Sequence, residues 1–168
     1  MQESLTLDAM DLKILDALQR DATISNQDLA AEVGLSPSQC SRRRTGLEKS
    51  GVINGYHAVL DRERLGFGVT VFVSVSLNAH NVKGALGIRE LAAVTPEILE
   101  AHALTGSADY LLKVSVRDLR ALSALVNDVL LPNEGVARVH SNIVLETLKE
   151  GTRLALTPGP VRPRRRAD

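Results

Sequence analysis

Aromatic side chains make up only 2% of this chain: Tyr56, Phe67, Phe72, Tyr110 and no tryptophan. With 44% hydrophobic residues a core is available, but it must be aliphatic. So few rings leave no platform on which bases could stack, which argues against a single-strand or RNA-recognition sheet. The one cysteine, Cys40, rules out an internal disulfide and a Cys-rich zinc site. It suits a reducing compartment, so a cytoplasmic location is expected. No apolar run approaches the ~20 residues of a membrane span. The first residues, MQESLTLDAMD, are too acidic and polar for a signal peptide. Catalytic patterns are missing as well: there is no nucleophile elbow, no phosphate-cradling glycine loop and no HExxH. His57, His80, His102 and His140 are far apart and lack metal-ligand spacing. No metal, no cofactor and no enzymatic activity are expected.

Net charge is also lacking, with 20 bases against 20 acids. The distribution says more than the sum. Residues 1–60 carry six bases and eight acids, 61–150 nine and eleven, and 151–168 five and one. Positive charge gathers at 42–49 and in the last residues, and such local patches set a nucleic-acid footprint.

Residues 36–51, SPSQCSRRRTGLEKSG, form the most informative stretch. Ser36 is a good N-cap, Pro37 suits the first turn, and Gln39 completes an S-x-x-Q capping box. Gly51 suits the left-handed residue after a helix. A helix over 8–20 is predicted by Met10, Ile14, Leu15 and Leu18 at three- and four-residue steps, with Asp8 and Asp11 at its start. A second, over 25–33, is capped by Ser25 and closed by Gly34. Two short helices joined by a tight turn, the second basic, predict a helix-turn-helix. Residues 52–60 (Val52, Ile53, Tyr56, Val59) predict a strand, which would make this domain winged-helix-like. DRERLG, 61–66, reads as a linker.

The period then changes to two. Phe67, Val69, Val71, Val73, Val75 and Leu77 alternate with smaller or polar residues, predicting a half-buried strand. Helices over 82–94 and 118–131, the latter capped by Asp118, and strands over 98–104, 110–116 and 136–148 complete a β-α-β-β-α-β order. That is the ferredoxin-like pattern. Two helices cover one face of such a sheet. The other, carrying Phe72 with serines and threonines, predicts packing on a second copy, hence a homodimer. The class is therefore α+β, with a helix-turn-helix domain over 1–60, a linker over 61–66, a βαββαβ domain over 67–150, and a basic tail over 151–168. TPGPVRPRRRAD, with three prolines and four arginines, reads as disordered.

Taken together, LDAMDLKILDALQRDATISNQDLAAEVGLSPSQCSRR, GLEKSGVINGYHAVLDRERLG and TGSADYLLKV resemble the Lrp/AsnC (feast/famine) family of transcriptional regulators. The TG-x-x-DY segment (Thr105, Gly106, Asp109, Tyr110) makes the likeness specific. The resemblance implies an N-terminal DNA-binding domain and a C-terminal effector-binding domain of the RAM or ACT-like kind. It also implies dimers that often assemble into octamers, and amino acids or related metabolites as effectors. Arg44 stands where the family has an aliphatic residue and Gly46 where it has a long or charged one, implying a different operator preference.

At 100° per residue, Cys40 and Leu47 fall together on the core side of the third helix. Cys40 reads as a small core residue rather than a redox thiol. Arg43 and Arg44 flank that side, while Ser38, Arg42, Thr45 and Lys49 oppose it with Ser41 at the edge. The candidate DNA contacts are Asn26, Gln27, Ser36, Ser38, Gln39, Ser41, Arg42, Arg43, Thr45 and Lys49. Arg42 is suited to guanine or phosphate, and the small polar residues to phosphates or base edges. A solvated charged face is the bland alternative. Thr105, Gly106, Ser107, Asp109 and Tyr110 are the candidate effector residues. Free backbone N–H groups beside Gly106 suit a carboxylate and Asp109 an ammonium, the two groups of an amino acid. A plain hairpin with Asp109 capping it is the alternative. The expected function is sequence-specific control of transcription on double-stranded DNA in response to a small molecule. Two other readings stay open: a siroheme-decarboxylase-like enzyme, which resembles this family in both domains, and an architectural DNA-compacting protein, which the arginines of the tail suggest.

Overall fold

The computed structural model describes residues 6–78, 82–151 and 153–160. His80, the first five residues and Arg162, Arg164, Arg165 and Arg166 lie outside the described residues. Two compact units emerge. One joins the residues up to Ala58 with those from Glu150 onward; the other runs from Val59 to Lys149.

The first unit contains strand β1 (Thr6–Leu7) and helices α1 (Ala9–Arg20), α2 (Asn26–Val33) and α3 (Pro37–Lys49). Each helix starts where its cap stands. The Asp8 carboxylate accepts from the backbone N–H of Met10 and Asp11 at 2.9 and 2.8 Å. Asp11 returns the bond to the Asp8 N–H at 3.2 Å, satisfying amides that the first turn leaves unpaired. Ile14, Leu15, Ala17 and Leu18 of α1 close on Leu29, Ala30 and Val33 of α2 and on Cys40 and Leu47 of α3.

The expected strand over 52–60 does not form. Val52 and Ile53 bond back to the Leu47 carbonyl at 3.0 and 3.1 Å and pack on the helical core, and residues 54–60 run on without a strand partner. Val52 and Ile53 are taken up by packing and Val59 is exposed, so no wing strand is present among the described residues. The disordered tail is also corrected as far as 153–160. This stretch returns to the first unit, where strand β6 (Gly159–Pro160) pairs antiparallel with β1. Leu156 joins the helical core.

Asp8 carries a stability signature. The backbone N–H of Asp11, then the Arg43 guanidinium, hold its carboxyl below the usual range. A carboxyl lowered in the folded state contributes stability above its unfolded value, about pH 4. That stability is lost as pH falls through the lower folded value. Asp8→Asn keeps a capping oxygen but no titration. The variant is therefore expected to show a weaker loss of stability between about pH 4 and pH 2, read from urea midpoints across pH.

The second unit holds strand β2 (Val69–Leu77), helix α4 (Val82–Val94), strands β3 (Ile98–Ala103) and β4 (Tyr110–Val116), helix α5 (Leu119–Ala124) and strand β5 (Val136–Ile143). The antiparallel sheet has the order β3-β4-β2-β5. Val71, Val73 and Val75 pair with Val114, Leu112 and Tyr110 and face the helices, where Ile88, Leu91, Leu122, Leu125 and Leu130 cover them. The fold is thus a helix-turn-helix unit with a ferredoxin-like α+β unit.

Three boundaries differ from expectation. The 61–66 segment is a turn inside the second unit, with Leu65 N–H bonding the Asp61 and Arg62 carbonyls. The helix capped by Asp118 widens to a π-helical stretch, Leu125–Leu130, closed by the bond from Leu131 N–H to the Val126 carbonyl. The extra residue per turn brings Leu130 into the core and leaves Val129 partly exposed. The last strand stops at Ile143 rather than 148, and Leu145 and Leu148 project from the surface.

Candidate DNA-reading helix and effector loop

Gly34, at φ +75°, ends α2 and turns the chain so that Leu35 N–H reaches the Ala30 carbonyl at 3.1 Å. Ser36 then starts α3, with its Oγ accepting from Gln39 N–H and the Gln39 side-chain oxygen accepting from Ser36 N–H. Cys40 and Leu47 are buried at 0% and 3% exposure. Burial pushes the Cys40 thiol up, which keeps it a protonated core residue. With that side pinned, Ser36, Ser38, Gln39, Ser41, Arg42, Thr45 and Lys49 all face solvent. Gly46 lies on the open surface, where an added Cβ would meet nothing within 4 Å.

The four cations of α3 divide. Arg43 turns to the flank, where its Nη1 lies 2.8 Å from Asp8 and 2.7 Å from Asp11. It was a candidate DNA contact, yet its guanidinium serves to lock α3 to the start of α1. Arg44 turns to the other flank. Its Nε donates to the Tyr56 hydroxyl at 2.9 Å, its guanidinium stacks on that ring at 4.7 Å, and its Nη1 reaches the Ile24 carbonyl at 3.5 Å. The Tyr56 hydroxyl in turn donates to Glu48 at 2.8 Å. Arg42 and Lys49 enter no ion pair among the described residues, so they are the charges α3 presents outward. At the start of α2, Gln27 is exposed, while Asn26 is half-buried and its Oδ1 has no partner among the described residues. Sequence reasoning missed Tyr56 as the partner of Arg44 and the acids that hold Arg43. Both are contacts between elements, with no local spacing to announce them.

In the second unit, the Thr105–Asp109 connection joins β3 to β4. Leu104 N–H bonds the Asp109 carbonyl at 2.8 Å, and Asp109 N–H bonds the Val75 carbonyl at 3.0 Å. The Asp109 Oδ2 accepts from Leu77 N–H at 2.8 Å and closes the end of β2. The carboxylate therefore caps β2 rather than the hairpin turn itself, and Oδ1 has no partner among the described residues. Thr105, Gly106 and Ser107 are exposed, with Gly106 at φ +141°, while Tyr110 is half-buried against the sheet core. No group of three or more His, Cys, Asp or Glu side chains among the described residues is placed to hold a metal. No described helix is long and apolar enough to cross a membrane.

Two family models match. The AsnC-type helix-turn-helix domain covers residues 7–48, and the Lrp/AsnC ligand binding domain covers 70–154. The chain belongs to the Lrp/AsnC family. It is 40% identical over 154 residues to the leucine-responsive regulatory protein of Salmonella typhimurium, spanning 89% of this chain and 92% of that one. The protein of the same name from Escherichia coli K12 is 38% identical over the same length. Among solved structures, a Neisseria meningitidis transcriptional regulator in complex with L-Met is similar at a TM-score of 0.86 and 37% identity, covering 89% and 97% of the two chains. An AsnC-family regulator of Agrobacterium tumefaciens gives 0.83 and 36%, with the same coverage. The Lrp/AsnC chain described here is thus a DNA-binding transcriptional regulator with a small-molecule-binding domain.

Proposed function

We propose that this regulator reads duplex DNA with the outward face of α3 and answers to an amino acid bound in its ferredoxin-like unit. Arg42 is the central reader, with Ser38, Ser41, Thr45 and Lys49 beside it, and Asn26, Gln27, Ser36 and Gln39 supply phosphate contacts. The observation that carries this reading is the division of charge on α3: Arg43 and Arg44 are tied inward while Arg42 and Lys49 point out. Two copies act together through the open sheet face of Phe72, Leu111 and His140, and dimers assemble further, up to an octamer. Two recognition helices then address half-sites about one helical turn apart. The loop amides of Thr105, Gly106 and Ser107 hold the effector carboxylate, and Asp109 Oδ1 meets its ammonium group beside Tyr110. The protein works in the cytoplasm as a regulator, not as an enzyme.

Selection of duplexes from a random library tests the first half. Enrichment of one motif with two half-sites is the expected result, and equal recovery of all sequences would favour an architectural protein. A thermal-shift screen of the twenty amino acids tests the second half. Ligand at 100 times its Kd stabilises by about 2.7 kcal/mol, so at least one amino acid should raise the melting temperature by several degrees. A flat panel would remove amino acids as effectors.

A further inference from the structure

Residues 153–160 form a strap along α1, anchored at both ends. Gln19 holds the backbone of Leu154 from both sides, accepting from its N–H at 2.7 Å and donating to its carbonyl at 3.2 Å. Arg153 donates to Asp16 at 2.7 Å. Leu156 packs on the helical core, and Gly159 and Pro160 stand opposite Leu7 and Thr6. From Gln19 back to Asp8, α1 is about 17 Å long at its usual rise per residue. From Leu154 to Gly159 the chain covers at most about 18 Å. The strap therefore runs nearly extended, with little slack, as a fixed part of the helical unit.

The chain thus passes between the two units twice, after Ala58 and again before Glu150. Both crossings are short between their outer anchors. On the first, Tyr56 is bound to Arg44 and Glu48 of α3, and the Asp61 carbonyl already closes a turn of the second unit. Five residue steps separate Tyr56 from Asp61, at most about 18 Å. On the second, Val144 N–H bonds the Thr70 carbonyl at 2.9 Å, and Arg153 is held by Asp16. Nine residue steps separate Val144 from Arg153, at most about 32 Å. The first crossing is attached to α3 and the second to α1. A unit on one leash can turn about its exit point, whereas a second leash fixed to another helix restricts that turn.

We propose that the strap, with Gln19 as its central anchor, determines which half-site spacing this regulator accepts. Bases are chosen by α3, and the second leash limits the directions in which each copy can present that helix. This rests on the reading of two half-sites by two copies given above. Two sites engaged together bind about 10²–10⁴ times more tightly than one, and the gain is lost where geometry forbids the second. Discrimination between spacings is therefore the quantity that the second leash controls.

The test uses the full chain and four duplexes: the selected one, a single half-site, a random sequence, and the selected one widened between half-sites by about five base pairs, roughly half a helical turn. The wild type should bind the widened duplex roughly 100-fold or more weakly than the selected one. A Gly-Ser-Gly-Ser-Gly-Ser insertion after Gly151 lengthens the second leash by up to roughly 20 Å and leaves every strap anchor in place. That variant should lose at most about 10-fold on the widened duplex. Gln19→Met, which has a side chain of similar length but no amide, should move the same way. Both variants should keep the wild-type preference for a single half-site over random sequence, because α3 is untouched. A wild-type spacing penalty in the insertion variant would overturn the proposal. So would loss of the single-site preference, which would mean that the strap only supports the helices. Relaxed spacing with the insertion but not with Gln19→Met would remove Gln19 from its central place, and the insertion decides alone if Gln19→Met is unfolded at the assay temperature. Equal binding of both spacings by the wild type would defeat the two-half-site reading, and the strap's role with it. An Arg42→Ala variant that keeps single-site preference defeats only the assignment of Arg42, since the spacing comparison needs no particular reading residue.

Discussion

Arg42→Ala is expected to lower affinity for the selected duplex by about 5- to 150-fold, equivalent to the roughly 1–3 kcal/mol of a bidentate arginine–guanine pair. Assembly state should not change, because Arg42 is exposed and forms no ion pair among the described residues. The size of the effect follows from its neighbours. Arg43 is held by two carboxylates and Arg44 by Tyr56 and Glu48, so neither can swing out to replace a lost guanidinium without breaking contacts of its own. Gel shifts at fixed salt, with size-exclusion chromatography on the same samples, measure both quantities. If the loss is equal on selected and random duplexes, Arg42 holds a phosphate and not a base. If affinity is unchanged on both, Arg42 lies outside the interface.

Gly135→Ala is expected to destabilise the ferredoxin-like unit by about 2–6 kcal/mol, joining backbone strain of about 1–3 with overpacking of about 1–3 kcal/mol. Gly135 has φ +105°, and an added Cβ would stand 2.8 Å from the Cα of Gly84 in α4. The obstacle is backbone, so no side chain can rotate away. The Gly135 carbonyl also accepts from Asn78 N–H at 2.7 Å, which pins the turn from the other side. A fall in melting temperature of roughly 10 °C or more follows for a unit of this size. Gly84→Ala is the milder partner, since its Cβ would meet Gly135 at 3.3 Å. Equal melting of Gly135→Ala and wild type would show that α4 and this turn can separate without cost.

The elements that could be read from the chain are those with a local cause. Ser25 and Ser36 cap helices at the expected residues because a cap acts within three positions of itself, and Asp8, read only as an acid in the first turn, caps α1 in the same way. The alternation of β2 placed Val71, Val73 and Val75 in the core because strand side chains alternate strictly. The phase of α3 placed Cys40 and Leu47 inward for the same kind of reason. The failures share a cause too. The side chains of Val52 and Ile53 suit a strand, but a strand also needs a partner, and these two found the helical core instead. From Asp118 onward the α-helical period aims Val129 inward, whereas the sheet above rewards burial of Leu130, and a π-helical stretch provides it.

On its own, then, the sequence determined the helix-turn-helix, the βαββαβ order and the candidate DNA face, since each rests on short-range periodicity and capping. Only the tertiary structure decided which arginines of α3 are spent on the protein itself. Asp8, Asp11 and Tyr56 lie far from those arginines along the chain, and ion pairs between elements leave no repeat in the sequence. The strap of 153–160 was decided in the same way, by Gln19 and β1 at the opposite end of the chain.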